Sequence, residues 1–283
     1  MDYKEITKGE KIAALGLGTW RIGGGEIPDL SKDREEIKTL QYGIEKGMTH
    51  IDTAEYYGAG HSEEIVCRAI EPFNRKDLFI TTKVWPNHLK YHQVLKSIKA
   101  SLKRLEVDYV DLFLIHWPNP DVPLSETMKA LENCVEDGYT RYIGVSNFSA
   151  KLMMKAQSHL KENRLVANQV KYNLNSQEPK EQLLPYCIEN NAILVAYSPL
   201  GKGNLTRPFN KVLDNFTTKY DKTRAQIALN WLISQENVIT IPKASNIQHL
   251  KENLGSVGWT LSSEDRERLS QSFIESAVNF PSI

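Results

Sequence analysis

Asp52, Tyr57, Lys83 and His116 supply a carboxylate, a phenol, an amine and an imidazole. Each stands at or just past the end of an apolar run: HIDTAEYYG (50–58), LFITTKVWP (78–86) and VDLFLIHWP (110–118). Singly they say little. A lone histidine after a strand is more often a structural hydrogen-bonding group, a lone aspartate a cap, a lone tyrosine a half-buried ring and a lone lysine a surface amine. The set is harder to dismiss, because a lysine directly after LFITT would be expensive to bury without a carboxylate. In a barrel of parallel strands the C-terminal strand ends converge on one face. Four such groups meeting there can pass a proton to a carbonyl oxygen.

The elements that must carry these groups alternate along the chain. An opening hairpin (YKEI, glycine, KIAALGLG) is expected to cap the bottom of a barrel, with a first strand near 14–17. A loop with three successive glycines, TWRIGGGEIPDL, follows. Asp33 with Glu36 reads as a capping box for the first long helix, whose apolar face is Ile37, Leu40 and Ile44 and which Gly47 ends. THIDT is the second strand, and Ser62 is expected to cap a helix running to Ile70. LFITTK and YVDLFLIH are strands three and four, separated by a helix striped with Val94, Leu95, Ile98, Leu102 and Leu105. YIGVS, VANQV, AILVAYS and NVITIP read as strands five to eight. Helices are expected at 125–137, from Ser149, and at 179–190, 209–219, 223–234 and 246–253, with a last one from LSSEDRERL. Thr223/Gln226 and Ser262/Asp265 form further capping boxes.

Eight strands alternating with helices, with no Pro- or Ser-rich linker, predict one α/β domain over residues 1–283. The predicted architecture is a (β/α)8 TIM barrel with an N-terminal hairpin cap and extra helices after strands seven and eight. A doubly wound sheet would carry GxGxxG after its first strand, whereas GLGTWR places Arg21 where the last glycine belongs. No P-loop and no HExxH occurs.

Bulk properties narrow the function. Lys+Arg and Asp+Glu are both 35, for a formal net charge of +0, so nothing favours a nucleic-acid partner. Runs such as YVDLFLIHW are too short to cross a bilayer, and MDYKEITKGEK has no secretory core. Cys67, Cys134 and Cys187 are odd in number, lie in predicted helices and form no CxxC. They read as buried thiols of a reducing compartment, and a cytoplasmic location is expected. No compact ligand cluster predicts a metal.

Six stretches, in order, resemble the aldo-keto reductase family. They are HIDTAEYYG, SLKRLEVDYVDLFLIHWP (101–118), YIGVSNF (142–148), NQVKYN (168–173), VAYSPLG (195–201) and IPKASN (241–246). The resemblance implies metal-free, NAD(P)H-dependent reduction of aldehydes or ketones. It makes Tyr57 the general acid, Lys83 the amine that lowers its pKa, Asp52 the lysine's carboxylate and His116 the group that polarises the carbonyl. It places Ser146, Asn147 and Gln169 on the nicotinamide carboxamide and Tyr197 on the nicotinamide ring, with Thr19 and Trp20 adjoining. Ser198, Leu200 and Gly201 fall where the family wraps the pyrophosphate, with Lys202 and Arg207 as nearby cations.

At the adenosine end the resemblance implies contacts from Lys243, Ala244, Ser245, Asn246, His249, Glu252 and Asn253. Here the chain departs from the family, which often has serine beside that lysine and arginine six residues on; Ala244 and His249 stand there instead. Loss of an arginine fork predicts NADPH preferred and NADH tolerated. Trp20, Trp85, His116 and Trp117 are implied substrate contacts, with Tyr56 a further contributor. Short loops after strand four and at the tail AVNFPSI predict an open pocket with broad aldehyde tolerance for a small-molecule carbonyl substrate. A monomer, or at most a weak homo-oligomer, is expected. Two rivals remain at this stage: a catalytically silent NADP-binding barrel, and a metal-dependent hydrolase or lyase built on Asp52 and His116.

Overall fold

The computed structural model describes residues 1–208 and 210–279, with the side chains of 276–279 left aside. Strands β1 (Tyr3–Thr7) and β2 (Glu10–Ala13) form the expected antiparallel hairpin, turning at Gly9 with φ +86°. Eight further strands pair in parallel and in chain order. They are β3 (Leu17–Gly18), β4 (His50–Asp52), β5 (Phe79–Val84), β6 (Val110–Ile115), β7 (Thr140–Ser146), β8 (Leu165–Lys171), β9 (Ile193–Tyr197) and β10 (Val238–Thr240). The curled sheet joins its own edges. Leu15 bridges Thr240, and the Gly16 and Gly18 amides donate to the carbonyls of Thr240 (2.8 Å) and Pro242 (3.3 Å). A Cβ on Gly18 would lie 2.4 Å from the Ile241 carbonyl oxygen, so this seam requires glycine.

Helices α1 (Asp33–Glu45), α2 (His61–Ile70), α3 (Tyr91–Leu105), α4 (Leu124–Glu136), α5 (Ala150–Gln157) and α6 (Leu183–Glu189) alternate with the strands. α7 (Lys211–Tyr220) and α8 (Arg224–Ile233) lie between β9 and β10, and α9 (Ile247–Leu254) and α10 (Ser263–Asn279) follow β10. Phe209, expected to open α7, and residues 280–283 of the tail lie outside the described residues.

Side chains alternate across a strand, and that parity sorts the core into two layers. Phe79, Leu112, Leu114, Ile193, Val195 and Ile239 fill the barrel, where Ile6 and Ile12 of the hairpin join them. Ile80, Phe113, Ile115, Leu194 and Val238 face the helices, against Ile98 and Leu131. Each such fully buried large side chain contributes about 1.5–3 kcal/mol. The same parity carries Asp52, Lys83 and His116 to the inner face: 83 follows 79 by four, and 116 follows 112 by four and 114 by two.

Helix starts show where local reading succeeds. Thr223 and Gln226 form a reciprocal capping box, and Ser149 accepts from the Leu152 amide at 3.2 Å. Asp33 and Glu36 do not cap α1. Asp33 binds His61 Nε2 (2.9 Å) and Arg68 (2.6 Å), while Glu36 accepts from the Gly23 amide at 2.8 Å. Ser62 does not cap α2, which begins at His61 after Gly60; its hydroxyl donates to Thr19 Oγ1 at 2.9 Å. Ser262 accepts from the Asp265 amide (3.1 Å), but the Asp265 carboxylate turns to Lys219 and Tyr220. In each case a partner distant in sequence (a cation, an amide or a hydroxyl) takes the side chain that local reading assigns to the cap.

Candidate active site

Strand ends bring the four expected groups together. β4 ends on Asp52, β5 holds Lys83 one residue before its end, His116 follows β6, and Tyr57 sits on the loop five residues after Asp52. Lys83, 0% exposed, donates from Nζ to Asp52 Oδ1 (2.6 Å), to the Thr53 carbonyl (2.8 Å) and to the Tyr57 hydroxyl (3.4 Å). Gln169 Nε2 donates to the other Asp52 oxygen at 2.6 Å. The rings of Tyr57 and His116 meet at 75° with centroids 5.5 Å apart. His116 Nδ1 is buried without a hydrogen-bond partner among the described residues.

Burial governs the electrostatics. It lowers the Lys83 ammonium, against the Asp52 carboxylate that raises it, and it raises Asp52 against the same ammonium. Burial and then Lys83 pull His116 down to about 2, so the imidazole is neutral. Tyr57 reverses the expectation from sequence that Lys83 draws the phenol toward working pH. Burial, with Asp52 acting in the same sense, pushes it well above 10. The charge of Lys83 is already matched by Asp52, so dehydration of the phenolate dominates. The phenol of Tyr57 is therefore held neutral.

Beside this group the Ser146 hydroxyl donates to the Gln169 carbonyl (2.7 Å) and Asn147 Nδ2 to the His116 carbonyl (3.0 Å). The Tyr197 hydroxyl donates to Asn147 Oδ1 (2.9 Å). Asn147 and Ser198 take left-handed φ of 62° and 50°. The Thr19 hydroxyl donates to the Asp52 carbonyl at 2.9 Å. Leu200 packs against the outer core and Gly201 starts a short 3-10 turn, Gly201–Thr206, containing Lys202.

An aromatic wall adjoins Tyr57 and His116. Tyr56 stacks on Trp85 with centroids 3.7 Å apart and planes 4° from parallel, and Trp20 lies parallel to Tyr56 at 6.3 Å. Trp85 meets His116 edge-on at 5.1 Å, and Trp20 meets Tyr57 at 4.9 Å. Trp117 does not join: it is 44% exposed and makes no ring contact among the described residues.

The adenosine-end residues separate. A cleft of about 560 Å³ is lined by Lys243, Ser245 and Asn246 together with Arg21, Lys32, Asp29, Glu35 and Glu36. Ala244, His249, Glu252 and Asn253 do not line it. The Ala244 methyl belongs to the outer core, and Glu252 offers its carbonyl to Gln226 at 3.1 Å. His249 is exposed behind the Asn246 cap of α9, and Asn253 is buried at the far end of that helix. Lys243 donates to Ser245 Oγ at 2.7 Å, and burial lowers its pKa against the attraction of Glu36, with Lys32 and Arg21 acting in the same sense as burial. The side chains of Arg21 and Lys32 make no hydrogen bond or ion pair among the described residues. Sequence reading missed both. A cation just after GLGTW was a signal for Arg21, and nothing local marked Lys32.

Among the described residues no group of three His, Cys, Asp or Glu is placed to hold a metal, and no helix is long and apolar enough to cross a membrane. Cys134 and Cys187 are buried and free, their thiols pushed up to about 12 by desolvation, so neither is poised as a nucleophile.

A curled parallel barrel with these polar strand ends matches known proteins. The sequence model of the Aldo/keto reductase family matches residues 14–273, and the chain belongs to that family. It is 34% identical to the methylglyoxal reductase YeaE of Escherichia coli strain K12, covering 93% of this chain and 91% of the relative. It is also 34% identical to a glyoxal reductase of Bacillus subtilis strain 168, covering 95% and 91%. A thermostable aldo-keto reductase crystallised with the inhibitor epalrestat superposes with a TM-score of 0.92 at 48% identity, covering 96% and 99%. An aldo-keto reductase from Klebsiella pneumoniae crystallised with NADP and acetate superposes with a TM-score of 0.86 at 33% identity, covering 94% and 93%.

Proposed function

We propose that the protein is an NADPH-dependent carbonyl reductase for small aldehydes and ketones, with Tyr57 as general acid. The observation that carries this is the buried contact of Lys83 with both Asp52 (2.6 Å) and the Tyr57 hydroxyl (3.4 Å), next to a neutral His116. When bound, the nicotinamide supplies the hydride. The chain's own residues do the rest. Tyr57 donates its proton to the carbonyl oxygen, and Lys83, held by Asp52, stabilises the phenolate left behind. His116, unable to take up a proton in the working range, acts on the carbonyl oxygen as a neutral hydrogen-bond donor. The Tyr56–Trp85 stack bounds one side of the substrate.

The residues fit the cofactor. Ser146, Asn147 and Tyr197 already form a hydrogen-bonded cluster suited to a carboxamide and an aromatic ring. Arg21, Lys32 and Lys243 converge on one cleft, where a ribose phosphate would find cations despite His249. The crystallisation of relatives with NADP or NADPH supports the same choice. The methylglyoxal and glyoxal reductases among the relatives favour short dicarbonyl substrates. We take the enzyme to be a single-domain, cytoplasmic monomer; the one barrel core supports the first reading and the free thiols the second.

NADPH oxidation against a panel of aldehydes, comparing wild type with Tyr57→Phe, tests the reading. The variant is expected to lose about 10²–10⁴-fold in kcat while its NADPH Kd stays near the wild-type value. Nucleotide binding by wild type with no turnover of any aldehyde would instead identify a silent NADP-binding barrel.

A further inference from the structure

Glu55 lies between Asp52 and Tyr57, and the reaction as described does not use it. Its carboxylate is nevertheless fully engaged. Oε1 accepts from the Trp85 amide (2.7 Å) and lies 2.9 Å from His88 Nδ1, and Oε2 accepts from Ser97 Oγ (2.6 Å). These partners belong to the short turn Pro86–His88 with its preceding residue, and to α3. The side chain is only 10% exposed, and its own amide donates to the Lys83 carbonyl at 3.4 Å. One carboxylate thus ties the loop that carries Tyr56 and Tyr57 to the loop that carries Trp85. The Tyr56–Trp85 stack spans the same two loops, and its Trp85 edge meets His116.

A rigid stack needs both rings fixed in register, because ring overlap is lost when either loop moves by about an ångström or more. Glu55 supplies that fixing through charge-assisted bonds from a backbone amide and a hydroxyl, which are stronger than neutral ones. We propose that Glu55 is a positioning residue that holds the aromatic wall of the substrate pocket and so sets how tightly flat, aromatic aldehydes bind relative to small polar ones. The inference rests on carbonyl reduction at the Tyr57 site.

Steady-state kinetics of Glu55→Ala and Glu55→Gln with 4-nitrobenzaldehyde and with methylglyoxal test it. Glu55→Ala is expected to raise KM for the aromatic aldehyde about tenfold while changing KM for methylglyoxal less than about twofold. The kcat values and NADPH affinity should move little. Glutamine keeps an acceptor for the Trp85 amide, so Glu55→Gln is expected to restore most of the discrimination. Near-ultraviolet circular dichroism gives a reading independent of activity: Glu55→Ala should lose the stacking signal that a Trp85→Phe control also loses. An equal KM change for the two aldehydes, or an unaltered dichroism band, overturns the proposal. Should Glu55→Ala not fold, the double variant Ser97→Ala/His88→Ala removes two of the three ties and carries the same expectation. If wild type reduces neither aldehyde, the carbonyl-reductase reading fails, and the dichroism comparison still decides the role of Glu55.

Discussion

The two ends of the barrel's C-terminal face handle charge in opposite ways. At the Tyr57 end Lys83 and Asp52 are sealed from solvent and satisfied by each other, by Gln169 and by the Thr53 carbonyl. At the Lys243 end the side chains of Arg21 and Lys32 reach into an open cleft without a hydrogen bond or ion pair among the described residues, although Asp29, Glu35 and Glu36 share it. The physical reason is dehydration. A buried ion must be matched by the protein before any ligand arrives, whereas an exposed cation is stabilised by water and can be left for a ligand. In the proposed enzyme the buried end is the one that sets reactivity, and the open end the one that tunes which nucleotide is held.

The largest expected break in this contrast is at the ion pair. Asp52→Asn strands a buried ammonium and is expected to destabilise the fold by about 3–5 kcal/mol, read by urea unfolding. Asp52→Asn/Lys83→Met should regain much of that stability but none of the activity. If the single variant unfolds like wild type, the pair is not sealed as described.

Acid tests the same buried end. Burial holds His116 near a pKa of about 2 and His50 near about 3, both below the ordinary value of 6.5. The unfolded chain takes up these protons first, so stability is highest above pH 6.5 and falls as pH drops toward those folded values. Each histidine contributes about 1.4 kcal/mol per pH unit in that window. His61 acts in reverse. Burial lowers it, but Glu64 and Asp33 outweigh that and raise its pKa. Its contribution is full below 6.5 and fades as pH rises through its folded value. Unfolding midpoints between pH 7.5 and 4.5 should fall on the acid side, and a flat profile would contradict the burial of both rings.

Effects at the open end are smaller. Arg21→Ala and Lys243→Ala are each expected to raise the NADPH Kd about tenfold and to leave NADH within about twofold, measured by fluorescence titration. The smallest contrast is with salt: raising ionic strength from about 0.05 to 0.5 M should weaken NADPH binding more than NADH binding, because exposed charges are screened. Equal losses for the two nucleotides would show that the cations do not read the 2′-phosphate.

Much of the site can be read locally. Asp52, Lys83 and His116 lie on apolar strands whose parity of two dictates a shared inner face, and the glycine loop beside Tyr57 marks a turn at the strand end. Where long-range partners compete, local reading fails. Asp33, Glu36 and Ser62 look like caps but serve His61, Gly23 and Thr19, and Ala244 stands in a stretch whose family resemblance implies nucleotide contact yet packs into the core. Trp117 looks like pocket wall, but Tyr56, treated as secondary, occupies the centre of the stack.

By itself the sequence determined the order of strands and helices, the inward set of polar strand ends and the family, because periodicity, turn chemistry and motif order are local properties of the chain. Tertiary structure alone decided that Tyr57 is held as a neutral phenol, that Glu55 joins two loops and that Arg21 and Lys32 face Lys243. Those outcomes depend on dehydration and on contacts between residues far apart in sequence, neither of which exists until the barrel closes.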